Sequence, residues 1–273
     1  MKKLNLSKID EIKEKHLEYC SKLRKVQDLT LNERKALFID SPFTEYMECK
    51  PEFKEDPFKN IDLEEEYITF RKFKKNEWNG VNLIKMLNIN VCPYCGMSYF
   101  STIKKVRNGN VISEATLDHY LPKSKNRMLA LNLYNLVPSC KNCNSSFKTV
   151  LTNSIINPYF SSVEENIKFR MNYFNTDGML DIYNIAQGSL STITDNHIEE
   201  LSLKDRYNYF KSIALSIYKK KLAWNKTYIT QLSNFKKINL SKEEIKKMLL
   251  KQDLFNMNEP FIKLKTDIWE QLS

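Results

Sequence analysis

The spacing of apolar residues divides the chain into helical stretches at both ends and a different pattern in the middle. From Leu6 to Ala36, Ile, Leu and Val recur at near-helical spacing among Lys and Glu, which predicts one or two amphipathic helices, with Ser7 able to cap the first. The 40–62 stretch holds three prolines among aromatic residues, which is typical of an irregular connector. Helical spacing resumes over 63–87.

The pattern becomes strand-like after Val91. The dipeptide Asn108-Gly109 predicts a tight hairpin turn between strands at 99–106 and 111–117, so Asp118 and His119 should end a strand. The short apolar run 136–138 predicts another strand, and a helix should start at Lys141. The predicted order is therefore strand, loop, short strand and helix.

A second hairpin is predicted further along, and helices follow it. Its strands lie at 167–173 and 179–185, separated by turn-forming residues. Two later segments begin with the spacing of capping boxes. These boxes pair Ser202 with Asp205 and Ser241 with Glu244.

These patterns predict an α+β fold, in which a mostly helical chain surrounds a small central module. We expect three regions: an N-terminal helical region at 1–88, the central module at 89–152, and a hairpin with C-terminal helices at 153–273.

Four of the six cysteines form two Cys-x-x-Cys pairs, the pattern of a structural tetrahedral Zn²⁺ site. They are Cys92, Cys95, Cys140 and Cys143. Four thiolates leave no open position for water, so this zinc would hold the fold and do no chemistry. We expect Cys20 and Cys49 to be buried free thiols.

The charge of the chain favours a polyanionic partner. Its formal net charge is +10, which suits nucleic acid, although a solvated lysine-rich surface would give the same value. No apolar run is long enough to span a bilayer, and the first residues lack a signal-peptide pattern. We therefore expect a soluble cytoplasmic protein.

The stretch from Cys92 to Lys148 resembles the HNH endonuclease family. After the first Cys-x-x-Cys pair it reads Asp118-His119-Tyr-Leu-Pro122, and later Asn135-Leu-Val-Pro-Ser-Cys140-Lys-Asn-Cys143-Asn144-Ser-Ser-Phe-Lys148. The resemblance covers roughly sixty residues and implies a ββα-metal fold, stapled by the Cys₄ zinc site, that cuts phosphodiester bonds with one divalent cation.

The resemblance also implies a role for each signature residue. His119 would be the general base, and Asp118 and Asn144 would hold the catalytic cation. Asn135 would pin the loop and orient His119. An amide oxygen at residue 144 favours Mg²⁺ or Mn²⁺ over Zn²⁺.

Two lysines and two histidines are further candidates for a functional role. Lys123 and Lys148 are candidates for phosphate contacts, against the alternative that they are ordinary surface lysines. His16 and His197 lie outside the module without partners at metal-ligand spacing, so we expect both to be structural or solvated.

Other functions stay open at this point. A zinc-stapled module that binds nucleic acid or protein without catalysis would need only the cysteines. A zinc deaminase is disfavoured because the His-x-Glu that its chemistry needs is missing at His119. The substrate is expected to be DNA, with RNA not excluded. The flanking helices are similar to those of accessory nucleases in bacterial anti-phage defence, which are often paired with an ATPase.

Overall fold

The computed structural model of this chain describes most of its residues. They are 1, 3–43, 50, 58–74, 76–100, 105–107, 110–112, 115–148, 153–172, 179–235, 240–242, 244–245 and 259–271. Small two-stranded sheets lie among helices, which confirms the α+β fold.

The N-terminal region forms helices, as predicted. They are α1 (Ile9–Ser21), α2 (Leu31–Phe38), α3 (Glu64–Arg71) and α4 (Gly80–Leu87). Ser7 does not cap α1, because that helix starts after Lys8 without a side-chain cap. Helix α2 begins with a capping box that was not predicted. The Thr30 hydroxyl accepts a hydrogen bond from the Glu33 backbone N–H at 3.3 Å.

The central module contains two antiparallel strand pairs. Strands β1 (Lys105–Arg107) and β2 (Asn110–Ile112) form the first hairpin, whose predicted turn lies outside the described residues. Strand β3 (Thr116–His119) pairs with β4 (Leu136–Ser139). The helix expected from Lys141 is a short turn that becomes π-helical over Cys143–Phe147.

The C-terminal region begins with the predicted hairpin and continues as helices. Its elements are α5 (Val163–Asn166), β5 (Ile167–Asn172), β6 (Met179–Asn184), α6 (Ser189–Glu200), α7 (Leu203–Tyr209), α8 (Lys211–Ala223), α9 (Lys226–Ser233) and α10 (Ile262–Gln271). The capping box at Ser241 is present. The one at Ser202 is wrong: this residue has a left-handed backbone and makes no side-chain cap.

One hydrophobic core joins all three regions. It includes Phe70 from α3, Leu117 from β3 and Ile198 from α6. Helix α4 approaches β3 closely at Gly80, where a Cβ atom would lie 2.8 Å from the Leu117 Cδ1 atom. The N-terminal helices are therefore packed directly behind the strand that carries the Asp-His pair.

Two smaller observations complete the fold. Cys20 is buried and free, as predicted, whereas Cys49 lies outside the described residues. No helix within the described ranges has the length and apolar character needed to cross a bilayer.

Candidate metal centres and cleft

The four paired cysteines meet at one buried point. Their Sγ atoms all lie within 4.8 Å of one another, and those of Cys95 and Cys140 are 3.9 Å apart. A Zn–S bond of about 2.3 Å in a tetrahedron implies sulfur atoms roughly 3.8 Å apart. The sulfur set is therefore positioned to hold a Zn²⁺ ion.

Backbone geometry shapes the two Cys-x-x-Cys pairs, the first and second knuckle, around the sulfurs. Gly96 follows the first pair with φ +64°, and a Cβ atom there would lie 2.8 Å from the Met1 Cγ atom. The Cys140 backbone N–H lies 3.4 Å from the Cys92 Sγ atom, and that of Cys143 lies 3.5 Å from the Cys140 Sγ atom. Such N–H donors stabilise thiolates, as a zinc site needs.

Arg206 on α7 brings a positive charge into contact with one of the sulfurs. Its two terminal guanidinium nitrogens lie 3.6 and 3.7 Å from the Cys143 Sγ atom. The guanidinium lies 4.2 Å from the ring centroid of Phe147. A Zn²⁺ ion held by the four thiolates would carry a net charge of about −2, which this guanidinium would partly offset.

Two residues of the C-terminal helices also donate hydrogen bonds to backbone carbonyls of the first knuckle. The Tyr207 hydroxyl donates to the Cys95 carbonyl at 2.7 Å. His197 lies fully buried between two backbone groups. Its Nδ1 atom accepts from the Ile156 N–H, so Nε2 donates to the Tyr94 carbonyl at 2.9 Å. Burial lowers the pKa of His197 to about 4, which keeps the ring neutral in this structural position.

His119 lies at the end of β3, with its ring largely buried. Its Nε2 atom is 3.0 Å from the Ala130 carbonyl. A carbonyl only accepts hydrogen bonds, so Nε2 carries the proton and Nδ1 is the acceptor of the ring. The Tyr67 ring packs edge-on against the imidazole, with centroids 4.2 Å apart. Burial lowers the pKa of His119 to about 4.

A cleft of about 580 Å³ opens beside His119. The π-helical turn contributes Asn144 to its lining, and the loop after β3 contributes Lys123. Helices α3 and α4 supply another wall, which includes Tyr67 and Arg71. The cleft is thus built jointly by the central module and the N-terminal helices.

Asn135 is completely buried and bonded to the loop that follows β3. Its Oδ1 atom accepts from the Leu121 N–H at 2.7 Å, and its amide donates to the Leu129 carbonyl at 3.0 Å. The next residue, Ala130, supplies the carbonyl that holds His119. Asn135 is therefore connected to the His119 ring through a single stretch of backbone.

Asp118 points away from His119, because successive side chains of a strand alternate between its faces. Its Oδ2 atom accepts from the Lys148 ammonium at 2.6 Å and from the Tyr94 hydroxyl at 2.8 Å. Burial raises the pKa of the carboxyl group, and both donors oppose that rise. Asp118 is not among the residues that line the cleft.

The two lysines predicted to contact phosphate are placed differently. The side chain of Lys148 is only 2% exposed, and its ammonium faces protein oxygens. Lys123 is half-exposed at the cleft and forms an ion pair with Glu64 on α3. Two other cations of the cleft lining, Arg71 and Lys141, are exposed and have no ion-pair partner among the described residues.

Two side chains of the site carry oxygen atoms of the type that suits a hard cation. The Asp118 Oδ1 atom is not used by Lys148 or Tyr94, and the amide of Asn144 is partly exposed in the cleft. A carboxylate and an amide oxygen are the ligand types that Mg²⁺ and Mn²⁺ take. By chemistry the two donors therefore fit such a cation, although Asp118 is buried and only Asn144 lines the cleft.

Sequence reasoning missed several residues of the site. Tyr67, Arg71 and Arg206 come from helices far along the chain from the residues they approach. No motif spacing marks such contacts, since they arise only when the helices pack against the module.

Comparison with known proteins identifies the central segment. Residues 92–148 match the model of the family described as HNH endonuclease. Neither curated proteins nor solved structures give a match. The matched segment begins at the first zinc-site cysteine and ends at Lys148, so it contains both the sulfur cluster and the Asp-His strand. This chain therefore carries an HNH endonuclease domain at residues 92–148, with four cysteines positioned for zinc.

Proposed function

We propose that this chain is a metal-dependent endonuclease that hydrolyses phosphodiester bonds of DNA. The observation that carries the proposal is the state of His119. Its Nε2 proton is committed to the Ala130 carbonyl, which leaves Nδ1 as the acceptor beside a cleft that also holds Asn144. A general base needs such a free lone pair within reach of the substrate.

His119 would take the proton of the attacking water. Because burial lowers its pKa to about 4, the imidazole is unprotonated at neutral pH and needs no prior deprotonation. Asp118 and Asn144 would bind the catalytic Mg²⁺ or Mn²⁺. When bound, that cation supplies positive charge to the scissile phosphate and the leaving oxygen.

We propose DNA as the substrate because the chain is basic and exposed cations line the open cleft. The chain carries a net charge of +10, and Arg71 and Lys141 present cations in the cleft lining. Phosphate contacts of this kind give affinity without reading sequence. RNA has the same backbone charge, so it belongs in the test as a second substrate.

A second function, a zinc-stapled module that binds without catalysis, is favoured by one observation. The Lys148 ammonium already neutralises Asp118, which would suit a site that takes no further cation. The two proposals differ in whether bound DNA is cut.

We also propose a setting in bacterial defence against phage or foreign DNA, with an ATPase or another defence subunit as partner. Support comes from the small nuclease domain set within helical flanks. Expression in a phage-sensitive host tests the setting. Protection lost in His119→Ala supports it, and equal plaque counts with and without the protein contradict it.

The test of the activity is cleavage of supercoiled plasmid by purified protein with Mg²⁺ or Mn²⁺. We expect nicking that requires the cation, stops with EDTA, and is lost in His119→Ala. That variant, prepared identically, also controls for contaminating nucleases. Nicking equal in both proteins would remove His119 from the base role. Binding without any cleavage would favour the non-catalytic module.

A further inference from the structure

Lys148 is a buried lysine whose ammonium is saturated by protein oxygens. It lies 2.6 Å from the Asp118 Oδ2 atom, 2.6 Å from the His119 carbonyl and 3.0 Å from the Tyr120 carbonyl. An ammonium has three protons to donate, so each of these acceptors uses one. A phosphate oxygen could reach this group only by displacing one of them.

Such an arrangement is poorly explained by stability alone. Removing a lysine and a carboxylate from water costs free energy that their attraction only roughly offsets, and apolar residues of similar volume often serve stability as well. A buried pair does fix geometry, because its hydrogen bonds are short and directional. What this pair fixes is the end of β3, where Asp118 and His119 lie.

The carboxylate is held from both zinc knuckles. Tyr94 lies inside the first Cys-x-x-Cys pair and donates to the Asp118 Oδ2 atom at 2.8 Å. Lys148 follows the second pair, and its backbone N–H donates to the Cys143 carbonyl at 3.1 Å. The position of the cysteines therefore sets the position of both donors on one oxygen of Asp118.

We propose that Lys148 is a positioning residue of the nuclease site, acting through Asp118. With Tyr94 it fixes the Oδ2 atom of Asp118, so that Oδ1 remains available to the catalytic cation. Its bonds to the carbonyls of residues 119 and 120 fix the position of the ammonium, and through it that of the Oδ2 atom. This inference rests on the proposed function, and it replaces the phosphate contact expected from the sequence.

A kinetic double-mutant cycle tests the role. Lys148→Met should lower kcat by about 100-fold, the scale expected when a reacting group is displaced by about 1 Å. KM for DNA should stay nearly unchanged, because the ammonium does not face the cleft. In an Asp118→Asn background the same substitution should change kcat little, since its effect passes through Asp118. Additive losses, or a raised KM with normal kcat, would contradict the proposal.

A matched control separates positioning from a general loss of folding. Lys263→Met removes a lysine 2.9 Å from another buried aspartate, Asp267, which keeps a second lysine, Lys168, at 3.1 Å. It should leave kcat unchanged. Zinc content and Tm should be measured for every variant. If Lys148→Met folds poorly, kcat of the Asp118→Asn/Lys148→Met double variant is compared with that of Asp118→Asn. The double variant buries no unpaired charge and should therefore fold.

A different set of results is expected if the proposed nuclease function itself is wrong. In that case the wild-type protein cuts neither plasmid nor RNA with either cation. The pair is then tested by unfolding: the double variant should be more stable than Asp118→Asn, which leaves a buried ammonium without its counter-charge. Equal or lower stability of the double variant would overturn the pairing itself.

Discussion

The cysteine cluster and the cleft both involve the central module but are built in opposite ways. The four cysteine sulfurs form a closed, buried set with backbone N–H donors and Arg206 around it. The cleft is open, and His119 and Asn144 line it beside the exposed cations Arg71 and Lys141. A closed ligand set holds a structure, whereas an open one admits water and substrate. The comparison separates a ligand set suited to supporting the fold from the open set that we propose acts on substrate.

The largest expected effect is loss of the zinc centre. Cys140→Ser should leave the protein without zinc and largely unfolded, because structural zinc contributes on the order of 10–16 kcal/mol in small domains, as much as the whole stability of a typical protein. Zinc content and circular dichroism check this. Cys20→Ser, at a buried free thiol outside the cluster, is the control and should keep its zinc. A zinc-free but normally stable Cys140→Ser protein would contradict the structural role.

A smaller effect is expected from the guanidinium beside Cys143. Arg206→Met should weaken zinc binding by about 10–100-fold, as the loss of a group supporting a ligand does elsewhere. Competition with a chromogenic chelator measures it. Lys204→Met, an exposed position on the same helix, should behave as wild type. Unchanged zinc affinity in Arg206→Met would mean that the contact with the thiolate is incidental.

The pH dependence of cleavage tests the state of His119. The base acts unprotonated, so the rate should rise with pH through its pKa and be level above it. Since burial lowers that pKa to about 4, the rate should hold down to about pH 5 and fall below it. Circular dichroism at each pH controls for unfolding. A decline already centred near pH 6.5, with the fold intact, would contradict the buried neutral base.

The smallest effect concerns DNA binding at the cleft. The logarithm of the affinity should fall linearly with the logarithm of salt concentration, and Arg71→Ala or Lys141→Ala should each reduce that slope by about 1. Fluorescence polarisation in EDTA measures binding without cleavage. Lys125→Ala, an exposed position outside the cleft lining, is the control. A slope equal to that of the wild type in both variants would mean that DNA binds outside this cleft.

The two parts of the site also differ in how far the sequence predicts them. Zinc ligands are recognisable because two Cys-x-x-Cys pairs have a characteristic spacing. The turn signal predicts one strand over 111–117, whereas the structure has β2 end at Ile112 and a separate strand, β3, which ends at His119 and pairs with β4. No sequence signal predicts the part of the cleft wall that α3 forms, because Tyr67 and His119 are separated by about fifty residues of chain.

Local rules failed where tertiary contacts decide the outcome. Ser202 has the spacing of a capping box, yet its left-handed backbone places the side chain where it caps nothing. Lys148 is a charged residue that the sequence places at the surface, and burial beside Asp118 could not be read from its neighbours. A single sequence does not show which charges will be paired in the interior.

The most direct test of two separate metal roles is cleavage measured while Mg²⁺ is removed and zinc is retained. Dialysis against a weak chelator, followed by a Mg²⁺ titration with zinc quantified at each step, makes this measurement. The account predicts that cleavage stops and returns with Mg²⁺ while the zinc content stays constant. Cleavage that persists without Mg²⁺ and follows the zinc content would contradict it.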